Sequence, residues 1–303
     1  MWTQLRQRAE PSPHFPDRGF LAAFEIRPRR ATELVDASFQ LLRRFYPQLL
    51  TVSAIAMSPG VFLRIILRDK LSDPTAIMSN RGTSLGAVAL STLCIAIADA
   101  VLIVAASEGY LEGTVDLGRA LSAGASRLGS VIVAVILRYL MIAIVFFALF
   151  VGIAVVATSM LHVKMAMVGA MVLLAPFAIW LGIYIALRTF AVGPAVLLEE
   201  LGPLEAISRS WRLSKNCAWH IFFSLGLAFV LYFIVALIAT TIGAMLLSNS
   251  LAGILSAILI IPIYPLLAVV STLLYYDLRI RKEGFDLQMM SKDLGAAVPL
   301  PAV

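Results

Sequence analysis

The sequence predicts an all-α polytopic membrane protein: six transmembrane helices, plus about three amphipathic helices lying along one membrane face. Three observations carry this. Hydrophobic residues make up 60% of the 303-residue chain and charged residues only 14%, where a soluble domain carries about 25% charged residues. Six apolar stretches are each long enough to cross a hydrocarbon layer of ~30 Å, which takes about 20 helical residues. Lysine and arginine fall mostly on one side of those stretches.

The spans are placed at Tyr46–Ile66, Leu85–Ala106, Val131–Ala157, Met165–Leu187, Trp219–Leu247 and Leu251–Tyr276. Internal prolines (Pro59, Pro176, Pro262, Pro265) are read as kinks, since neighbouring spans can satisfy the backbone groups that proline frees. The short link Ser248 to Ser250 forces an antiparallel hairpin. Residues 1–30 are polar and proline-broken, with no apolar core of a signal peptide, so the first apolar segment is expected to be a retained span. The membrane domain runs over 31–288, and 289–303 forms a polar tail.

Of the 24 Lys and Arg residues, Arg64, Arg68, Lys70, Arg81 and Lys164 fall on one side. Arg138 falls inside a span, and the other 18 share the opposite side. Positive charge concentrates on the cytoplasmic side. Both termini are therefore expected in the cytoplasm. The net charge of +6 serves this anchoring, and no nucleic-acid partner is implied. Cys94 and Cys217 lie within or beside spans and form no disulfide framework.

Three segments that lead into odd-numbered spans look alike, over Glu33–Arg44, Asp116–Arg127 and Pro203–Arg212. Each opens with an acid near a helix N-terminus and closes on arginine, as the helix dipole favours. Leu34, Leu41, Leu42 and Phe45 share one face of the first; Leu204, Ile207 and Trp211 share one face of the third. Aligning Ala37, Ala120 and Ala206 gives spacings of 83 and 86 residues. The chain thus reads as three parallel repeats, each an interfacial helix followed by a transmembrane hairpin.

Metal and protease chemistry find little footing. The only histidines are His14, His162 and His220, without metal-binding spacing, and no cofactor is implied. Glu199-Glu200 has the form of the paired glutamates of prenyl-protein-type membrane proteases. Leu204 stands where that motif needs arginine, however, and the partner histidines are missing. Gly82-x-x-x-Gly86 has the spacing of a helix contact and is read as incidental.

Two intramembrane charges stand out. Asp99 lies 9 residues before Glu108, and Arg138 lies 8 after Ser130. At 1.5 Å per residue both sit roughly 12–14 Å inside the span ends. An unpaired charge at that depth costs several kcal/mol, so the two are expected to form an ion pair, either fixing helix packing or lining a pathway. At the exit of the last span, Tyr275, Asp277, Arg279 and Arg281 form a second group. Asp277 is expected to meet Arg209 or Arg212 of the third interfacial helix; alternatively the arginines hold anionic lipid head groups.

The run TLLYYDLRIRKEGFDL (Thr272–Leu287), together with PAVLLEELGPLEAISRSWRL (Pro194–Leu213) and the leading helix Glu33–Phe45, resembles the membrane domain of glycerophosphoryl diester phosphodiesterase. The likeness spans most of Arg27–Gln288, and because the family is bacterial it implies a bacterial inner membrane. In that family the phosphodiesterase activity belongs to a soluble barrel that some members carry after the membrane region. Only 27 residues follow Tyr276, so the barrel is expected to be absent, and the resemblance implies topology rather than catalysis. The expected role is a non-enzymatic scaffold or accessory subunit for envelope or lipid-related processes. The alternative is a transporter or lipid-handling channel with Asp99 and Arg138 near the pathway. The expected partners are membrane lipids, other membrane proteins or a second copy of the chain; Glu200, beside the third interfacial helix, joins the arginines as a head-group or structural contact.

Overall fold

The computed structural model describes residues 28–67, 81–159, 164–246, 255 and 258–285. Among the described residues ten helices follow one another: α1 (Ala31–Arg44), α2 (Tyr46–Ile66), α3 (Arg81–Leu111), α4 (Leu117–Ser126), α5 (Leu128–Ser159), α6 (Lys164–Arg188), α7 (Val192–Leu198), α8 (Pro203–Ser214), α9 (Ala218–Leu246) and α10 (Tyr264–Glu283). Six stretches are long and apolar enough to cross a bilayer, and the protein is an all-α, multi-pass membrane protein. The order of one short helix and two long ones occurs three times, with α7 inserted before the third.

The short helices α1, α4 and α8 start as their acids dictate. Glu33 accepts the backbone N–H of Arg30 at 3.4 Å, and Glu205 accepts that of Gly202 at 3.2 Å. Asp116 caps α4 directly, accepting from the N–H groups of Gly118 and Arg119 at 2.9 and 3.2 Å. Both devices satisfy amide groups that a helix start leaves unpaired. The aligned Ala37, Ala120 and Ala206 are all buried, each where its short helix comes close to a neighbour.

Those neighbours follow a pattern. Helix α4 packs on α3, the end of the first hairpin, and α8 packs on α5, α6 and α7 of the second hairpin and its extension. Helix α1 packs on α9 and α10 of the third. Each short helix thus sits on the hairpin that precedes it, and the first sits on the last, closing a ring. Helices α3 and α10 pack together near the centre, through buried small residues such as Ala98, Ala105 and Ala268 and through Leu274. Small side chains let helix backbones approach where no hydrophobic effect drives association. The outer faces of α5 and α9 expose Phe147, Phe150, Phe229 and Phe233, as helices solvated by lipid do.

Several boundaries differ from the sequence expectation. Helix α3 runs from Arg81 to Leu111 rather than Leu85–Ala106. The last span is broken at residues 261–263, and α10 continues to Glu283 rather than stopping at Tyr276. Pro262 therefore stands in a turn and Pro265 in the first turn of a helix, where its missing N–H goes unused; Pro59 and Pro176 lie inside helices. The expected link Ser248–Ser250 lies outside the described residues, as do the N-terminal segment up to residue 27 and the C-terminal tail. A Cβ added at Gly82 or Gly86 would meet open space, so that glycine pair makes no close helix contact.

Candidate functional site

Two polar constellations are built into this frame. The first is a chamber of about 270 Å³ among the long helices. Helix α3 contributes Asp99 and Ile103, α5 contributes Ala134 and Arg138, and α10 contributes Tyr264, Leu267 and Ser271. The start of α7 (Val192, Gly193, Pro194) forms another wall and Leu225 of α9 closes the remainder. Gly193 eases this approach: a Cβ there would lie 3.2 Å from the Ile103 side chain, which would have to give way slightly. Among the described residues α5 and α9 touch each other slightly at most, although both line the chamber.

Within the chamber, Tyr264 donates its hydroxyl hydrogen to Asp99 Oδ1 at 2.5 Å. Ser271 donates to the Ala268 carbonyl at 2.9 Å, which leaves its oxygen lone pairs for a ligand. The sequence places Asp99 and Arg138 together correctly, since they line the same space, but the direct ion pair is not there. Among the described residues Asp99 bonds to Tyr264, and the Arg138 guanidinium meets neither a carboxylate nor another hydrogen-bond acceptor. The physical reason is rotational: matching depth on neighbouring helices does not aim two side chains at each other. Tyr264 also lines a second cavity of about 160 Å³ with Met57, Gly60, Cys94 and Tyr232, so it stands between two hollows.

The second constellation closes the end of the bundle where the short helices lie. Arg209 of α8 grips Glu199, just past α7, with Nε to Oε2 and Nη2 to Oε1, both at 2.7 Å. The same guanidinium holds Glu283 at the end of α10, through Nη1 and through Nη2 at 2.7 Å. Tyr275, fully buried, donates its hydroxyl hydrogen to Glu199. Arg279 stands 3.4 Å from Glu199 and 3.5 Å from Glu283, its guanidinium 4.3 Å from the centre of the Phe285 ring. Burial pushes the Glu199 carboxyl up, but the hydrogen bonds from Arg209 and Tyr275 outweigh it and hold it below the usual glutamate range. The bonds to Glu199 and Glu283 likewise raise Arg209 above the ordinary arginine value. Paired, bidentate and largely buried, this set ties α7, α8 and α10 into one unit.

Asp277, in turn, does not meet Arg209 or Arg212. It accepts from the backbone N–H of Arg29 at 2.6 Å, from His220 Nε2 at 2.8 Å and from Arg281 Nε at 2.7 Å. Arg281 also donates to the Arg29 carbonyl. The acid therefore fastens Arg29, two residues before α1, and the start of α9 to α10. Arg209 takes Glu199 and Glu283 instead because α8 lies over the end of α7, whereas the Asp277 side of α10 faces α1. Arg212 is exposed. The Glu199-Glu200 pair divides: Glu200 is exposed, takes a left-handed φ of 56° and pairs with Arg127 at 2.6 Å.

Sequence reasoning missed Glu199 as the hub, Glu283, Tyr264 and the whole of α7. The motif stretches Pro194–Leu213 and Thr272–Leu287 prove to face one another, through Glu199 and Arg209 on one side and Tyr275, Arg279 and Glu283 on the other. Their shared richness in acids and arginines was the available signal. Among the described residues no group of three His, Cys, Asp or Glu side chains stands close enough to hold a metal ion. Comparison with protein-family profiles, curated proteins and solved structures gives no match to this chain.

Proposed function

We propose that this integral membrane protein handles lipids: it admits the polar head of a bilayer amphiphile into the Asp99–Arg138 chamber, and it works by binding rather than by catalysis. The observation that carries the proposal is the position of Arg138, inside a span and facing the chamber with no protein acceptor among the described residues. A charge serving helix packing alone is best placed in direct contact with its counter-charge, because an uncompensated arginine in a span costs about 2.5–3.5 kcal/mol or more. A ligand that supplies the anion removes that cost. At about 270 Å³ the chamber lies just under the ~300–1,000 Å³ range of pockets that engulf small molecules. It suits a head group, with acyl chains left among the helices or in the bilayer.

The same proposal puts both ends in the cytoplasm, on the lysine and arginine asymmetry, and the protein in a bacterial inner membrane, on the resemblance. The resemblance to the membrane domain of glycerophosphoryl diester phosphodiesterase belongs here too. Its two best motifs supply the Glu199–Arg209–Glu283 latch, which holds the chamber wall α7 in place. The scaffold alternative draws on one observation: each short helix exposes an apolar residue, Phe39, Leu121 or Leu204.

The deciding experiment reconstitutes the protein in liposomes and follows movement of a fluorescent phospholipid between leaflets by quenching from outside. The wild type should accelerate it. Arg138→Gln and the chamber-filling Ala134→Phe should abolish the acceleration while the protein stays folded. Equal rates in wild type, variants and empty liposomes would defeat the proposal and return the field to a scaffold.

A further inference from the structure

We infer that the chamber selects a zwitterionic head group, with a phosphate on Arg138 and a primary ammonium on Asp99. The inference rests on the lipid-handling proposal and adds the chemical class of the ligand. Its basis is that the chamber presents two opposite charges that do not satisfy each other. Asp99 has one oxygen, Oδ1, fixed by the Tyr264 hydroxyl. Its other oxygen, Oδ2, has no hydrogen-bond partner among the described residues. A carboxylate accepts through both oxygens, so Tyr264 sets its orientation without using it up. Ser271, on the same helix as Tyr264 and lining the same space, gives its hydrogen to a backbone carbonyl and keeps lone pairs free. The Asp99 side of the chamber is thus a set of acceptors, suited to an ammonium with N–H groups to donate.

Arg138 is the other charge in the chamber's lining. A guanidinium offers a planar fork of donors matched to two oxygens of a phosphate, and no described protein group occupies that fork. The remaining lining, including Ile103, Ala134, Val135, Phe190 and Leu267, is apolar. It provides no third charge to balance a ligand of net charge. A purely anionic head group would satisfy Arg138 but set its own charge against Asp99 in a medium of low dielectric. A quaternary ammonium has no N–H to give Asp99 or Ser271. A head group carrying one phosphate anion and one primary ammonium satisfies both charges and leaves the chamber neutral.

Two sources share this chemistry: an ethanolamine-type phospholipid in the bilayer, and a soluble phosphoethanolamine from water. Delipidated full-length protein in detergent, titrated and read by native mass spectrometry, separates them. The probes are dipalmitoyl phosphatidylethanolamine, phosphatidylglycerol and phosphatidylcholine, and O-phosphoethanolamine. The wild type should hold phosphatidylethanolamine at least tenfold more tightly than the other two lipids. Asp99→Asn should bring that ratio to about one, Asp99→Glu should preserve it, and Arg138→Gln should weaken all three lipids alike. The ratio is measured within each variant, so partial misfolding does not imitate the result. A wild-type ratio near one, or a ratio that Asp99→Asn leaves unchanged, overturns the zwitterion inference while tight lipid binding keeps the lipid-handling proposal alive. Binding of O-phosphoethanolamine without binding of any lipid upholds the head-group chemistry but sinks the lipid-handling proposal. No binding of any probe sinks both.

Discussion

Tyr264 and Asp99, 165 residues apart in sequence, are joined by a 2.5 Å hydrogen bond, and Tyr264 lines the two intramembrane cavities on either side of it as a partition. Tyr264→Phe removes the donor and leaves a carboxylate oxygen bare inside the span. Losing one partner of a buried polar pair costs about 1–3 kcal/mol. The variant should therefore melt several degrees lower in detergent, while Tyr264→Leu, which also removes the ring, melts lower still. Unchanged melting of both would mean that the hydroxyl bond adds nothing to the partition.

Arg138 carries the opposite signature. Arg138→Met keeps the length of the side chain and removes the charge, relieving about 2.5–3.5 kcal/mol or more of intramembrane cost. Lipid-free protein should then be more stable than the wild type, and lipid movement should be lost. A drop in stability would instead mark Arg138 as a packing residue.

The latch should respond to acid. Glu199 titrates lower in the folded protein than its ordinary value of 4.5, so the unfolded chain binds the proton first as pH falls. Its contribution to stability is full above about pH 4.5 and is lost as pH falls through the depressed folded value. Thermal melts across pH 3–7 should show this acid-side slope in the wild type and a shallower one in Glu199→Gln. Arg209→Leu, which takes the bidentate guanidinium away from two largely buried carboxylates, should cost about 3–5 kcal/mol.

The three short helices offer a test of repetition. Ala37, Ala120 and Ala206 are each buried at a helix contact, and inserting extra methylenes at such a site costs about 1–3 kcal/mol. Ala→Leu at each of the three should destabilise within that range, whereas Ser122→Leu, on an exposed position of α4, should be close to neutral. A neutral result at one alanine alone would break the equivalence.

Topology follows from the charge count. In a background lacking Cys94 and Cys217, cysteines at Ser208 and Ser248 should react with a membrane-impermeant maleimide from opposite faces, Ser208 from the cytoplasm. Labelling of both from one face would refute the six-span order.

Depth and period were legible in the sequence; rotation and pairing were not. The span Tyr46–Ile66 is found as expected, because apolar length alone specifies a membrane crossing. The leading acids of the short helices cap them as their spacing suggests, through Glu33, Asp116 and Glu205. Seven residues are too few to show a helical period, so α7 was hidden in what reads as a loop between Arg188 and Pro203. The partners of Asp99, Asp277 and Arg209 were also out of reach. Apart from Arg281, one turn after Asp277 on the same helix, each lies on a different element, and which of several acids an arginine meets depends on how its helix is turned. Pro262 and Pro265 illustrate the same limit: proline signals an interruption, but neighbouring helices decide between a kink and a break.

The closure of the ring by α1 has a consequence for biosynthesis. Arg29 is bound by Asp277, 248 residues later, and α1 rests on helices made last. At ~5–20 residues per second, translation leaves α1 waiting about 10–50 s for its partners. During that interval its apolar face, with Leu34, Leu41 and Leu42, has only the membrane surface to cover it, where an amphipathic helix lies stably. Of the described helices, the first to leave the ribosome is thus the last to dock, and a chain truncated before α10 would remain an open arc with α1 parked on lipid.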